Sequence, residues 1–429
     1  MSSFQIILIS ILVLIIVAAT LIFGGFIPGF GGGPGENKPT ISVWGVVPQE
    51  TMRPFLDKSI SKQINIEYSQ KTAESFETEL VGALASGKGP DIWLMPHELI
   101  LKHKDKVMPV PFESLTEREF KNIFIDEGEL FLDQKNQQII GLPFLIDPLV
   151  MYWNKDIFKN AGFASPPKTW DQFVILAEQL TNRNQAGDII QSGAALGEFK
   201  NINYAKDIIS ALILQTGNPI VNPGSLEVML DERGENILVP AESALRFFTE
   251  FSNPAKKSYS WNKYLPDSKE MFIKGLLAMY FGYASELADI KEKNPHLNFD
   301  VSSFPQILDG KTQVTFGRLQ AVAVSKNSKD IGASLNAAFI LASETSVKEF
   351  ISITNLPPVR KSLLAEKISD PFLAIFYKSA VQAKGWLDPD PEKTSEIFQN
   401  MVESVNTGLK KIDEAVRDAK SKIQGLIKK

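Results

Sequence analysis

Hydrophobic and polar positions fall into distinct regimes along this chain. From Phe4 to Phe23 the apolar run is interrupted only by Gln5, Ser10 and Thr20. A helix of that length, rising 1.5 Å per residue, spans about 30 Å, the thickness of a bilayer core. Residues 1–35 carry no charged side chain, and Gly24 to Gly35 holds seven glycines and two prolines. The pattern predicts a transmembrane anchor over 1–24 and a flexible Gly-rich linker over 25–38. A cleaved signal peptide is the competing reading, but it calls for a basic start and a small-x-small cleavage site. Here nothing basic precedes the run and Ala18-Ala19 lie inside it, so the uncleaved anchor is favoured. Charge on the N-terminal side does not set its orientation.

From Pro39 onward, short β-branched and apolar runs alternate with helix-length patterns. Ile41 to Val47 and Asp91 to Met95 read as buried strands, and Ile64 to Tyr68 alternates with a strand's period of two. Between the first two strands lies a helix-length stretch with Phe55, Leu56 and Ile60. Thr72 opens another helix with Phe76, Leu80 and Leu84, stopped by Gly87, Gly89 and Pro90. This order predicts βαβ units and a parallel sheet covered by helices, an α/β architecture. Thr169 and Gln172 form a capping-box pattern, and further helices are expected near 205–216, 241–252, 268–276 and 284–293. Strands are expected at Ala278 to Phe281, Phe299 to Phe304 and Leu319 to Val324. The last forty residues read as one long amphipathic helix along Ile397, Met401, Val405, Leu409, Ile412, Val416 and Ile423.

Composition narrows the chemistry. The 429 residues contain no cysteine, which removes disulfides, thiolate metal sites, cysteine nucleophiles and a lipidated cysteine. A net charge of −5 argues against a general nucleic-acid partner, which needs a basic footprint. Three histidines leave little for metal chemistry; His97 and His103, without zinc spacing, read as surface or hinge residues. No nucleophile elbow or Walker loop is present. Asp388 and Asp390 could serve acid–base chemistry, but Pro389 and Pro391 around them predict a solvated turn. The chain is expected not to be an enzyme and to need neither metal nor cofactor.

Binding is the better expectation. An open α/β sheet forms its ligand crevice at strand ends, and aromatic residues sit there: Trp44, Trp93, Tyr283. Flat rings suit sugar faces, while carboxylates such as Glu98, Asp147 and Glu198 suit hydroxyls. Trp153 and Phe281 read as core.

Longer motifs carry a family resemblance. Gly89-Pro-Asp-Ile-Trp93, Ile140-Gly-Leu-Pro-Phe144, Leu149 to Phe158, Asn160-Ala-Gly162 and Pro166 to Asp171 resemble the extracellular solute-binding proteins of family 1, the maltose-binding-protein-like receptors of ABC importers. Phe272 to Gly282, Asn355 to Lys361 and Ile412 to Val416 agree in order and spacing, so the likeness spans about 39 to 429. It implies a two-lobed periplasmic-binding-protein-like fold of type II with a hinge and interlobe cleft, preceded by the single transmembrane helix. Lobe 1 would comprise 39–145 and 305–355, and lobe 2 would comprise 146–304 and 356–429. Carried over by position, ligand-binding residues would be Trp44, Trp93, His97, Glu98, Asp147, Glu198, Tyr204 and Tyr283. The chain departs from sugar receptors in having His97-Glu98 where an acidic-basic pair is common, and Ser395 where a cleft aromatic is expected. Trp386 is the candidate replacement. The resemblance implies a membrane-tethered, extracytoplasmic monomer that captures a small polar solute, with carbohydrate the leading class, for ABC permease subunits. A sensor or surface interaction module of the same fold without a transporter is the alternative.

Overall fold

The computed structural model describes residues 39–60, 64–233 and 239–427. The expected anchor (1–24) and linker (25–38) lie outside the described residues. Among the described residues no helix is long and apolar enough to cross a membrane. Ile41–Lys429 forms one contact unit, described by itself below.

Its centre is a ten-stranded mixed sheet. Strands β1 (Thr40–Gly45), β2 (Asn65–Gln70) and β3 (Ile92–Pro96) form the first half, with helices α1 (Gln49–Phe55) and α2 (Phe76–Ala85) between them. Val43 pairs with Ile92 and Trp44 with Trp93 in parallel, as the βαβ reading requires. The other half is built from β4 (Leu142–Asn154), β5 (Asn182–Arg183), β6 (Ile189–Ala194), β7 (Leu277–Tyr283) and β8 (Phe299–Ser302). Strands β9 (Thr315–Val324) and β10 (Ala383–Lys384) complete it, in the order β2-β1-β3-β9-β4-β7-β6-β5, with β8 on β4 and β10 on β9.

Two long strands join the halves. Gln320–Val324 of β9 pairs with β3 on one edge, and Gly317–Val322 of β9 pairs with Leu142–Pro148 of β4 on the other. Leu149–Trp153 of β4 then pairs with β7. Periodicity does not announce β4, because every residue in it except Asp147 is buried and no polar alternation survives. Its Pro143, opposite Ala321, sits beside a bulge where the ladder skips Phe144 at Gln320/Ala321, the kind of irregularity at which strands accept proline.

Helices cover both halves. In the second half, α3 (Trp170–Gln179) packs on β6, and the Thr169 hydroxyl caps it through the Gln172 amide. Helix α4 (Ala205–Leu214) is buried over nearly its whole length beneath α5 (Pro240–Glu250), in keeping with its apolar run Ile208 to Leu214. Helices α6 (Ser268–Ile273) and α7 (Leu287–Lys293) flank β7. On the first half, α8 (Ile331–Leu341) packs on β9 and α9 (Glu344–Thr354) packs on α1, while α10 (Pro371–Val381) lies against β4.

The C-terminus corrects one expectation. Instead of one long helix there are two, α11 (Pro391–Asn406) and α12 (Ile412–Leu426), packed against each other. Gly408 takes φ +71°, a left-handed cap that ends α11, and leaves Leu409 80% exposed rather than in the apolar stripe. The histidine reading is also corrected: His97 and His103 are both buried. Asp388 likewise is not solvated. It is 1% exposed, because the turn made by Pro389 and Pro391 faces inward toward a lysine.

Candidate functional site

A cavity of about 630 Å³ lies where several elements of both sheet halves end. Its wall takes Glu98 from the segment after β3, Tyr204 to Asp207 from the start of α4, Arg318 from β9, and Ser395 and Gln399 from α11. The volume is in the usual range for small-molecule pockets.

Its charged groups are arranged in pairs. Arg318 donates from Nη2 to Asp207 Oδ2 at 2.9 Å, and the same oxygen accepts from Tyr283 Oη at 2.6 Å. The guanidinium lies 4.2 Å from the Tyr283 ring centroid and 4.9 Å from that of Tyr204, within cation–π range of both. The two rings meet edge to face at 4.7 Å. Tyr204 Oη donates to Glu286 Oε1 at 2.9 Å, and Tyr280 Oη to Glu286 Oε2 at 2.8 Å. Lys269 bonds the same Glu286 at 2.7 Å. Arg318 is therefore clamped in orientation by two rings and a carboxylate, with part of its side chain still open to solvent.

A second pair sits beside it. Lys206 Nζ lies 2.6 Å from Asp388 Oδ2 and 3.1 Å from Thr394 Oγ1, and its ammonium is 5.6 Å from the Trp386 ring centroid. Burial works against the Lys206 charge, but Asp388, Glu98 and Asp207 outweigh it and hold the ammonium's pKa above the ordinary value. Glu98 is half-buried; desolvation pushes it up, yet the positive charges of Lys206 and Arg318 keep its carboxyl below the usual range. Asp147, opposite Arg318 in the β4–β9 ladder, is pushed up to about 6 by burial, although Ser285 N–H donates to it at 3.0 Å.

Local backbone presents Tyr204 to the cavity. It caps α4 with φ +60°, a left-handed conformation that side chains other than glycine rarely adopt, and its side chain makes no cap bond. Strain of this kind is held only where surrounding contacts over-determine it, here the Glu286 bond and the Tyr283 and Arg318 rings and planes.

The residues expected from sequence separate into groups. Glu98 and Tyr204 line the cavity. Tyr283, Asp147 and Trp386 stand directly behind it: Tyr283 under Arg318, Asp147 beside it, and Trp386 under Lys206 and stacked on Phe398 at 6.3 Å. His97 lies deeper and Trp93 is fully buried in β3, as core. Glu198 is half-buried near Asn406, Lys263 and Glu403, with burial raising its pKa. Trp44 is half-buried under the Lys71 ammonium and does not line the cavity. Sequence reasoning missed Lys206, Asp207 and Arg318. A signal existed for the first two, a Lys-Asp pair entering an otherwise apolar helix; Arg318 gave none beyond preceding a strand-like run.

Comparisons with known proteins bear on this arrangement. Residues 53–374 match the family model described as bacterial extracellular solute-binding protein. The galactooligosaccharide-binding protein of Bacillus subtilis is 22% identical over 80% of this chain and 78% of its own. A maltooligosaccharide ABC transporter solute-binding lipoprotein of Streptococcus pneumoniae is 22% identical over 86% and 85%. The structure of a cyclo/maltodextrin-binding protein complexed with maltotetraose superposes with a TM-score of 0.72 at 18% identity, covering 92% of this chain and 99% of that one.

Proposed function

Because the chain belongs to the bacterial extracellular solute-binding protein family and has its two-lobed α/β fold, we propose that it is a receptor capturing a neutral, hydroxyl-rich ligand, a sugar or short oligosaccharide, for an ABC importer. The carrying observation is the cavity itself. It is walled from both sheet halves by Glu98, Asp207, Lys206 and Arg318, whose charges alternate and largely cancel, around the face of Tyr204. Such a site offers both donors and acceptors to hydroxyl groups, with an aromatic surface for C–H faces. The oligosaccharide ligands in the names of the relatives support the same class. Ser395 and Gln399 occupy the α11 wall without an aromatic ring, which favours a ligand held by polar edge contacts over one stacked along its length.

The lobes divide at 39–145 with 305–355, and 146–304 with 356–429. The shared strands β4 and β9 support this, since β4 passes from β9 to β7 between Pro148 and Leu149, and β9 takes up β3 from Gln320 onward. Lobe closure about these crossings brings Glu98 onto the α4 side of the ligand. The apolar run Phe4 to Phe23 anchors the receptor to the membrane by a single pass, with the ligand-binding part outside the cytoplasm.

Thermal-shift and calorimetric titration of the purified chain against mono- to tetrasaccharides tests the ligand class. A specific sugar at ~100 times its Kd should stabilise the protein by about 2.7 kcal/mol. Absence of saturable stabilisation by every sugar in the panel would overturn the carbohydrate reading. Fractionation tests the anchor: the full chain should follow the membranes, and a chain without residues 1–24 should not.

A further inference from the structure

Beneath the cavity lies a buried pair that the ligand-binding reading does not use. Glu127 is 2% exposed, lies in the short 3-10 helix Asp126–Phe131, and among the described residues neither of its carboxyl oxygens has a hydrogen-bond partner. His97 is 1% exposed, and its Nε2 likewise has no partner among the described residues. The other ring nitrogen, Nδ1, accepts the Leu319 backbone N–H at 3.3 Å. An Nδ1 that accepts carries no proton, so the ring's single proton sits on Nε2 as a donor in search of an acceptor.

Two glycines show where that acceptor is. A Cβ on Gly385 would lie 2.6 Å from His97 Nε2 and 2.9 Å from Glu127 Oε1. The two orphaned atoms thus face each other across the space that a Gly385 side chain would fill. A Cβ on Gly317 would lie 2.3 Å from Glu127 Oε2. Both glycines have ordinary backbone angles, so what they supply is room for the carboxyl group. Each of these neighbours adjoins the cavity wall or what backs it: His97 precedes Glu98, Gly317 precedes Arg318, and Gly385 precedes Trp386, behind the wall, and the Asp388 that holds Lys206.

We propose that Glu127, a residue outside the cavity, is the positioning residue of the cavity floor: its carboxyl group accepts from His97 Nε2–H, directly or through one water, and wedges the segments bearing Glu98, Arg318 and Asp388 into a single arrangement. The meaning of that floor for the ligand rests on the receptor reading above; the wedge itself does not. Burial raises the Glu127 carboxyl well above the ordinary range, with Lys384 lowering it and Glu98 raising it further, and burial lowers His97. Both shifts favour the uncharged forms, a carboxylic acid against an imidazole, as burial of the pair requires.

Hydrogen–deuterium exchange on the ligand-free full chain tests it without any sugar, so its outcome is separate from that of the ligand assignment. Glu127→Ala should speed exchange by roughly tenfold or more in peptides spanning 95–99, 316–320 and 384–388, leaving α12 and β2 as in the parent, and Glu127→Gln, an uncharged near-isostere, should restore slow exchange. A pH series adds a second readout. A carboxyl group with a raised folded-state pKa contributes stability that is present below its unfolded value and lost as pH rises, so the parent's melting temperature should fall relative to Glu127→Gln from acid to neutral pH. If Glu127→Ala does not fold, the comparison of Glu127→Gln with the parent across pH decides. Uniform exchange changes throughout the chain, no change in the three floor segments, or parallel pH profiles for the parent and Glu127→Gln would each overturn the proposal.

Discussion

The Lys206–Asp388 bridge offers the sharpest quantitative prediction about the site. Its side chains are only 9% and 1% exposed, and the ammonium lies 2.6 Å from the carboxylate. Lys206→Met keeps the aliphatic stem but removes the charge, leaving Asp388 with the Thr394 hydroxyl at 2.8 Å and the Asp390 N–H at 3.0 Å. Removing one partner of a buried ion pair costs about 3–5 kcal/mol, because the remaining charge stays desolvated. Protonation limits that cost: the stranded carboxyl group can take up a proton, so the loss should be largest at pH 8 and shrink toward acid pH. Replacing both partners, as in Lys206→Met with Asp388→Asn, leaves no buried charge and should recover most of the loss, to within about 1–2 kcal/mol of the parent. Equilibrium urea unfolding followed by tryptophan fluorescence reads all three at two pH values. A Lys206→Met loss below about 1 kcal/mol at pH 8, or a double variant no more stable than the single one, would refute the claim that this pair is desolvated and coupled.

Other consequences follow from the same geometry. Asp147 has a folded pKa of about 6 against an ordinary 3.8, so its contribution to stability is present below 3.8 and lost as pH rises through about 6. Asp147→Asn should flatten the stability profile across that interval, as measured by urea midpoints at each pH. At Tyr204, with φ +60°, Tyr204→Gly should be more stable than Tyr204→Ala by about 1 kcal/mol, although both lose the ring and with it sugar binding. Tyr204→Phe keeps the ring and should cost only about 1 kcal/mol for the Glu286 bond, read by thermal unfolding and calorimetry. Tyr283, 2% exposed, should behave as core and site together, Tyr283→Ala costing about 3–5 kcal/mol of stability along with binding. Trp44→Ala removes a half-buried ring that packs against the core and carries the Lys71 ammonium, so it should cost less than Tyr283→Ala, about 2 kcal/mol, and equal losses at the two positions would contradict their different burial.

What the sequence determined by itself was whatever depends on neighbours along the chain. The strands β1 and β3, the helix with Phe76, Leu80 and Leu84, and the Thr169 cap follow from local periodicity and capping chemistry, which act within a few residues. The family resemblance also lies in contiguous motifs, so the two-lobed fold and the binding class were legible from them. Glu98 and Tyr204 were reachable for the same reason, each lying in a segment whose position along the motif order places it at a strand or helix end. Tertiary structure alone decided the rest. Strand β4 is hidden from periodicity because burial on both faces erases alternation. The single C-terminal helix broke at Gly408 because an amphipathic stripe looks the same whether it continues or turns back on itself. Asp388 and His97 looked like exposed residues because their partners, Lys206 and the Leu319 amide, are 182 and 222 positions away. Arg318 and Asp207 are 111 apart. Charge pairing at such separations leaves no mark on local spacing, since it takes the packing of elements far apart in sequence, β9 on β3 and α11 on α4, to bring those segments within hydrogen-bond reach.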